Sequence, residues 1–569
     1  MKNVTSAAAL LALLAPVLPA QQQAEQEKDL RSLYDVQAYR MDLYVDPDEQ
    51  VFRGTVAVEA VVTGEELEVV QLDMSRRLKA SQVVAISEPL ASQSSLAGKA
   101  LEFERPGSSL RCKLQKKLGK GDRFRIGISY SGSGGRRGVV GFYWAKTKGG
   151  KPWINTSCQG PGAHSWWPCK ASYYHPEDKP EHLYVNLDVP DGLYAVSNGR
   201  LLAREKRKDN GREVFRWQHD YPLETYAVTV NVAPYVVVEK ELQLEGIEGK
   251  LPFIYYVLPE NAEKAKLQFQ QVPEMLKIFG KAFGPFPFPK SKFALVEVNF
   301  WGMEHSTAVA YGSSYPAWCK KTGSPDRYAR RNRYFDYILI HESAHEWWGN
   351  AVSAANWGNF WVHEGFATYS EAVYVEFTQG REVADRYLAT IKRIASGPGR
   401  LFRGKNKASG QAYSVLIYYK GAWVLNTLRH YVNDDAVWWK TLRDFNIQFR
   451  YKNAVTEDFR AILEKNTGRD WKQFFDEWFY GSGSPRLSGT VGVDGKKIVV
   501  SVDNRSRSEA GFHVPLDLAW KEGGREQKKR IMLEPGKNEL AIDTARTPTD
   551  LRVVNLHRVL GRHKVEVDS

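Results

Sequence analysis

His341-Glu342-Ser343-Ala344-His345, followed after eighteen residues by Glu364-Gly365-Phe366-Ala367, is the stretch around which the rest of the chain is organised. Tyr337-Ile338-Leu339-Ile340 leads into it, and no Gly or Pro interrupts the run until Gly349. That composition predicts a helix carrying both histidines. At i and i+4 their imidazoles share one face, about one turn apart. Two neutral imidazoles and a carboxylate are the protein ligands of a catalytic zinc site that leaves its fourth position to water. Glu364, in a second acidic, helix-forming segment, supplies the third ligand, so the expected cofactor is one Zn2+. Glu342 lies one residue round the helix from His341, where it cannot easily share the metal but can reach the water as general base. The competing reading makes His341 and His345 core histidines on an apolar helix. It leaves a buried carboxylate beside two imidazoles without a cation, which is costly.

Outward from this stretch, bulk properties set the frame. At 569 residues the chain is too long for one core. Its 79 Lys+Arg against 66 Asp+Glu give a net charge of +13. The excess is spread out, and its densest clusters, 204–208 and 330–333, are short. Without an aromatic-basic stripe or a DNA-reading motif this is a solvated basic surface, and no nucleic-acid partner is expected.

The N-terminus begins Met1-Lys2, runs through an apolar stretch from Ala7 to Leu18 and reaches Pro19-Ala20-Gln21. This has the form of a signal peptide with cleavage after Ala20, and the polar residues 21–33 follow as a tether. The run is too short to span a bilayer, and Pro16 interrupts it. An exported protein, periplasmic or extracellular, with no stable membrane span is the expectation. Cys112, Cys158, Cys169 and Cys319 allow three disulfide pairings. Cys158 and Cys169 are near neighbours in the chain, but free buried thiols fit as well.

From residue 34 to 243 alternating segments such as Ala38–Val45 and Gly54–Val61, punctuated by turn residues, predict a β-rich domain. Within it Thr156 to Pro168 is Gly-rich, polar and aromatic, which suits either a functional loop or a surface loop packed by Trp166 and Trp167. Residues 244–482 form the expected catalytic domain. There Asn261 to Phe283 has helical composition with a break at Pro273, and Lys292 to Asn299 reads as a strand. Trp301-Gly302-Met303-Glu304-His305 comes next, and a Gly between large residues at a strand end implies close approach by something. Val383 to Ser396 and Ala422 to Val432 read as helices, and Trp471 to Phe479 as an amphipathic segment. Gly481-Ser482-Gly483-Ser484-Pro485 marks a junction, after which period-two alternation predicts a small β-sandwich over 483–569.

Taken together, the segments Thr156 to Pro168, Trp301 to His305, His341 to Asn350, Val362 to Glu371 and Tyr418 to Gly421 resemble, in order, the zinc aminopeptidase family of aminopeptidase N and leukotriene-A hydrolase. The resemblance implies a multidomain α+β protein: an N-terminal β-sheet domain, a thermolysin-like, mainly helical zinc catalytic domain and a small C-terminal β-sandwich. It implies ligands His341, His345 and Glu364 and the base Glu342. The family's Gly-x-Met-Glu-Asn signature falls on Trp301 to His305, so Gly302, Met303 and Glu304 would contact substrate, with Glu304 on its free α-amino group. Tyr418 would stabilise the tetrahedral intermediate, and Gln159 would frame the first substrate residue. Trp301 stands where the family has Gly, and His305 where it has Asn. Glu371 fits either a residue that orients a ligand or a solvent-facing glutamate. The function implied is hydrolysis of the N-terminal residue from peptides with a free amino terminus. A zinc endopeptidase, an epoxide-type hydrolase or a non-catalytic peptide-binding relative are the alternatives on the same frame. Oligomeric state is not encoded in any of these motifs.

Overall fold

The computed structural model describes residues 29–568 apart from 92–96, 134–140, 159–161, 172–174, 209, 313–314, 316–334, 405–408, 507 and 509–510. The expected signal peptide, Gln159 and Cys319 therefore lie outside the described residues. The chain divides into two compact units, one built from residues 1–281, 285–355 and 449–453, the other from 282–284, 356–448 and 454–569. This division passes through the expected catalytic domain between Ala355 and Asn356.

In the first unit, Tyr34–Asp46 alternates buried and half-buried residues along its length. It takes the centre of an eight-stranded sheet, antiparallel to Val51–Val62 and parallel to His182–Pro190. One side chain in two faces inward, which is why the period-two pattern was legible. The loop after Ser157 lends that core its two tryptophans. Trp166 and Trp167 are fully buried, and Trp167 meets Tyr39 edge to face at 4.9 Å. Packing accounts for the aromatic part of this loop. Among the described residues Cys112, Cys158 and Cys169 are free and buried, so Cys158 and Cys169 are not bridged. The Cys158 thiol instead donates to the Val228 carbonyl at 3.4 Å and accepts from the Trp166 indole at 3.1 Å.

A five-stranded sheet in the same unit carries the site. Its order is Val236–Leu242, Leu251–Val257, Phe293–Glu297, Val309–Tyr311 and, at the edge, Gly302–Met303. The three middle strands run parallel, and Gly302–Met303 pairs antiparallel with Tyr311 and Ala310. Phe293–Glu297 is buried throughout, as a central parallel strand should be. The helical run is broken not at Pro273 but just before it, by a 3-10 turn over Phe269–Gln271 between the helices Ala262–Gln268 and Val272–Phe283. Pro273 thus occupies the first turn of the second helix, where its missing N–H costs nothing.

Helices dominate the first part of the second unit: Trp361–Gln379, Arg381–Ala395, Val415–Val432 and Thr456–Thr467. Val415–Val432 begins earlier than its apolar pattern indicates because Ser414 caps it, accepting from the Leu416 N–H at 3.3 Å. After Gly481 the chain turns to strands, a four-stranded and a three-stranded sheet. Leu487, Val491, Ile498, Val500 and Val502 of the first, and Val514, Leu516 and Leu518 of the second, are buried. Strand-rich, helical and strand-rich segments therefore follow one another in the expected order.

Candidate active site

Asp336 starts the histidine helix, accepting from the Leu339 N–H at 3.4 Å. The helix spans Tyr337–Ala344 and is buried from Ile338 onward. His345 is one residue beyond its end but keeps helical dihedrals, φ −63° and ψ −16°. The i,i+4 relation survives, and the two Nε2 atoms face each other at 3.4 Å. His345 Nδ1 donates to the Trp348 carbonyl at 2.8 Å. That bond holds the tautomer whose Nε2 lone pair is available for a cation and fixes the ring plane. A buried pair of converging imidazole nitrogens, one anchored through its other nitrogen, is a donor set that fits zinc.

Glu304, Glu342 and His345 present ligand-type atoms within 4.8 Å of one another, all three buried. Gly302 explains how the edge strand comes so near. A Cβ there would stand 2.7 Å from Glu342 Oε1 and 2.9 Å from Ile338 Cγ2. What approaches that glycine is the carboxylate of Glu342, the expected base. Met303 turns its side chain into the core and offers the site its main chain only.

The segment after Glu304 is pinned from several sides. Asn350 Nδ2 donates to the Glu304 carbonyl at 3.0 Å. Thr307 sits at φ 58° and donates its N–H to Glu346 Oε1 at 2.6 Å. Asn198 Nδ2 donates to the Ser306 carbonyl at 2.7 Å, and the Gly199 N–H donates to Thr307 Oγ1 at 2.8 Å. Lys292 Nζ donates to the Ser197 carbonyl at 2.9 Å and also to that of Gly199. Burial pushes Glu346 up to about 8 and Lys292 down to about 7, each partly offset by the attraction of the other. The adjacent His305 is fully buried, and neither ring nitrogen has a hydrogen-bond partner. Burial lowers its pKa to about 3, so it is neutral. The contact to the Glu304 main chain thus comes from Asn350 and not from residue 305.

In the second unit Glu364 lies in the first turn of the helix Trp361–Gln379. Its Oε1 accepts from the Tyr418 hydroxyl at 2.8 Å and from the Tyr413 hydroxyl at 3.2 Å, and the two phenols also bond to each other. Burial, then the Glu364 carboxylate, hold the Tyr418 phenol well above its usual range, so it stays a proton donor. Two glycines set this geometry. A Cβ on Gly365 would meet Gly421 Cα at 3.0 Å, and one on Gly421 would meet Gly365 Cα at 2.7 Å. The helices touch backbone to backbone one residue after Glu364 and three after Tyr418. Glu371 is fully buried and accepts from the Tyr387 hydroxyl, which excludes the solvent-facing reading.

Two residues of this arrangement have no counterpart in the sequence reading. Tyr413 precedes its helix by two positions and has no periodic signal. Asn350 ends the His341 to Asn350 segment, but its bond to residue 304 depends on a fold-level approach.

Comparison with known proteins adds to this geometry. A family model described as the Peptidase family M1 domain matches residues 267–478, and one described as the Peptidase M1 N-terminal domain matches 35–227. Aminopeptidase M1 of Arabidopsis thaliana is 25% identical over 363 residues, 62% of this chain and 40% of that protein. Aminopeptidase B of Mus musculus is 25% identical over 375 residues, 63% of this chain and 52% of that protein. The alignments thus span only about half, or less, of these relatives. A crystal structure of Legionella pneumophila aminopeptidase A in complex with aspartic acid shares the fold. It matches with TM-score 0.74 at 15% identity, over 94% of this chain and 60% of that one.

Proposed function

Because the chain belongs to peptidase family M1 through both the N-terminal and the catalytic domain of that family, we propose that it is a zinc aminopeptidase removing the first residue of peptides. The observation that carries the reading is Glu304, a buried carboxylate whose ligand-type atoms lie within 4.8 Å of those of the base and of His345. His341, His345 and Glu364 would hold the metal, the last on the strength of the motif spacing and of its two tyrosine donors. When bound, zinc supplies a Lewis acid at the scissile carbonyl and lowers the pKa of its water towards about 7.

Glu342 takes the proton of the attacking water and returns it to the leaving amine. Tyr418, held protonated, donates to the developing oxyanion. Glu304 pairs with the substrate ammonium, and a blocked terminus leaves that buried carboxylate without its partner. Gln159, on the family's pattern, frames the side chain of the first residue. The apolar run from Ala7 to Leu18 supports action outside the cytoplasm, and among the described residues no helix is long and apolar enough to cross a membrane.

The test compares a peptide with its N-acetylated form, with and without chelator. The free peptide is hydrolysed, the acetylated one at least about a hundredfold more slowly, and chelator abolishes both rates. Equal rates would establish an endopeptidase instead. Glu342→Gln keeps stoichiometric zinc and loses about a thousandfold in kcat; unchanged turnover would remove Glu342 from the mechanism.

A further inference from the structure

The two histidines are flanked differently. On one side His345 has Glu304 and Glu342 within 4.8 Å. On the other, the His341 ring stacks on Tyr337 at 5.2 Å and 21°, and Tyr337 meets the indole of Trp301 at 5.8 Å and 41°. The three rings form a row leading away from the histidine pair. Trp301, the last in it, is 37% exposed in a region where most aromatic residues are buried.

The edge strand supplies the direction. The strand is Gly302–Met303, with Trp301 immediately before it, Gly302 against Glu342, and Glu304 immediately after it. Its outer edge has no partner strand among the described residues, so an extended peptide can lie along it. A peptide whose amine is held at Glu304 and whose first carbonyl reaches the histidine pair must run its second residue towards His341, Tyr337 and Trp301.

Resting on the aminopeptidase reading, we propose that Trp301 and Tyr337 form the surface that receives the side chain of the second substrate residue, and that the enzyme selects aromatic or large aliphatic residues there. An exposed indole backed by a second ring offers a broad apolar face at low entropic cost and gains from stacking on another ring. To an acidic side chain it offers neither a positive charge nor an electron-poor face. Trp301 is thus a specificity-determining residue that acts on the leaving group and not on the residue released.

The experiment measures kcat/KM for Leu-X-Gly peptides with X as Phe, Leu, Gly or Asp, using the zinc-loaded enzyme, Trp301→Ala and Trp301→Phe. The wild type prefers Phe over Gly by about tenfold or more. Trp301→Ala reduces that ratio to about twofold by losing rate on Phe and Leu only, and Trp301→Phe restores most of it. An equal loss across all four peptides, or no preference in the wild type, overturns the proposal while leaving the aminopeptidase reading intact. If the wild type hydrolyses none of them, that reading fails. Calorimetric binding of the same peptides to Glu342→Gln and to Glu342→Gln/Trp301→Ala then decides the inference alone. A Phe-over-Gly affinity ratio lost with Trp301 upholds it, and equal ratios reject it.

Discussion

Tyr413 and His305 show what single residues contribute beyond the recognisable motif. Tyr413 gives Glu364 a second hydroxyl donor, so Tyr413→Phe should weaken zinc binding about tenfold in a chelator competition. An unchanged affinity would mean that Tyr418 alone orients the carboxylate. His305 makes a pH prediction with a definite sign. Its folded pKa, about 3, lies below the ordinary 6.5, so the unfolded chain binds more protons between those values. Stability is therefore undiminished above pH 6.5 and is lost as pH falls towards 3, by up to about 1.4 kcal/mol per pH unit. His305→Asn, which cannot titrate, should flatten the urea-unfolding slope by about one proton between pH 6 and 4. An identical slope would show that His305 is charged in the folded state. Neither role was legible in the sequence. Position 305 stood out only as a substitution, and Tyr413 lies five residues before Tyr418, off its helical face.

Among the elements, the crossing of Trp361–Gln379 with Val415–Val432 governs how Glu364 and Tyr418 are spaced. Gly421→Ala places a methyl group 2.7 Å from Gly365 Cα, and backbone cannot move aside as a flexible side-chain tip can. A loss of about 1–3 kcal/mol in stability is expected, with a fall in kcat because Glu364 and Tyr418 are spaced by that contact. Thermal melts and initial rates on one preparation check both, and a stable variant with normal turnover would show that the helices slide freely. Helices and central strands were legible because their apolar periodicity reflects burial. Ends were less so: His345 falls past its helix because the chain must turn at once to bring Asn350 back to Glu304.

For the whole molecule, the order of strand-rich, helical and strand-rich segments could be read from pattern alone, since each change of period marks a change of layer. Thiol chemistry could not, because chain proximity says nothing of partners. Burial raises Cys112 and Cys158 to about 12, so almost no thiolate exists at neutral pH. Cys112, Cys158 and Cys169 should resist iodoacetamide in the native protein and be alkylated fully in guanidinium, with mass spectrometry reading each site. Reductant should leave the melting temperature unchanged. Labelling of any of the three without denaturant would contradict the buried packing around Trp166.

The bonds from Ser197, Asn198 and Gly199 to Lys292, Ser306 and Thr307 bear on where this protein can be cut. A fragment beginning at residue 244 would keep the segments Trp301 to His305, His341 to Asn350, Val362 to Glu371 and Tyr418 to Gly421. The loop that carries Glu304 would keep its bonds to Asn350 and Glu346 but lose those to Asn198 and Gly199, and the Lys292 amine would lose both carbonyls that accept from it. The strand-rich N-terminal region thus shares in holding the loop that carries Glu304, and a truncation meant to keep that loop in place begins upstream of Ser197.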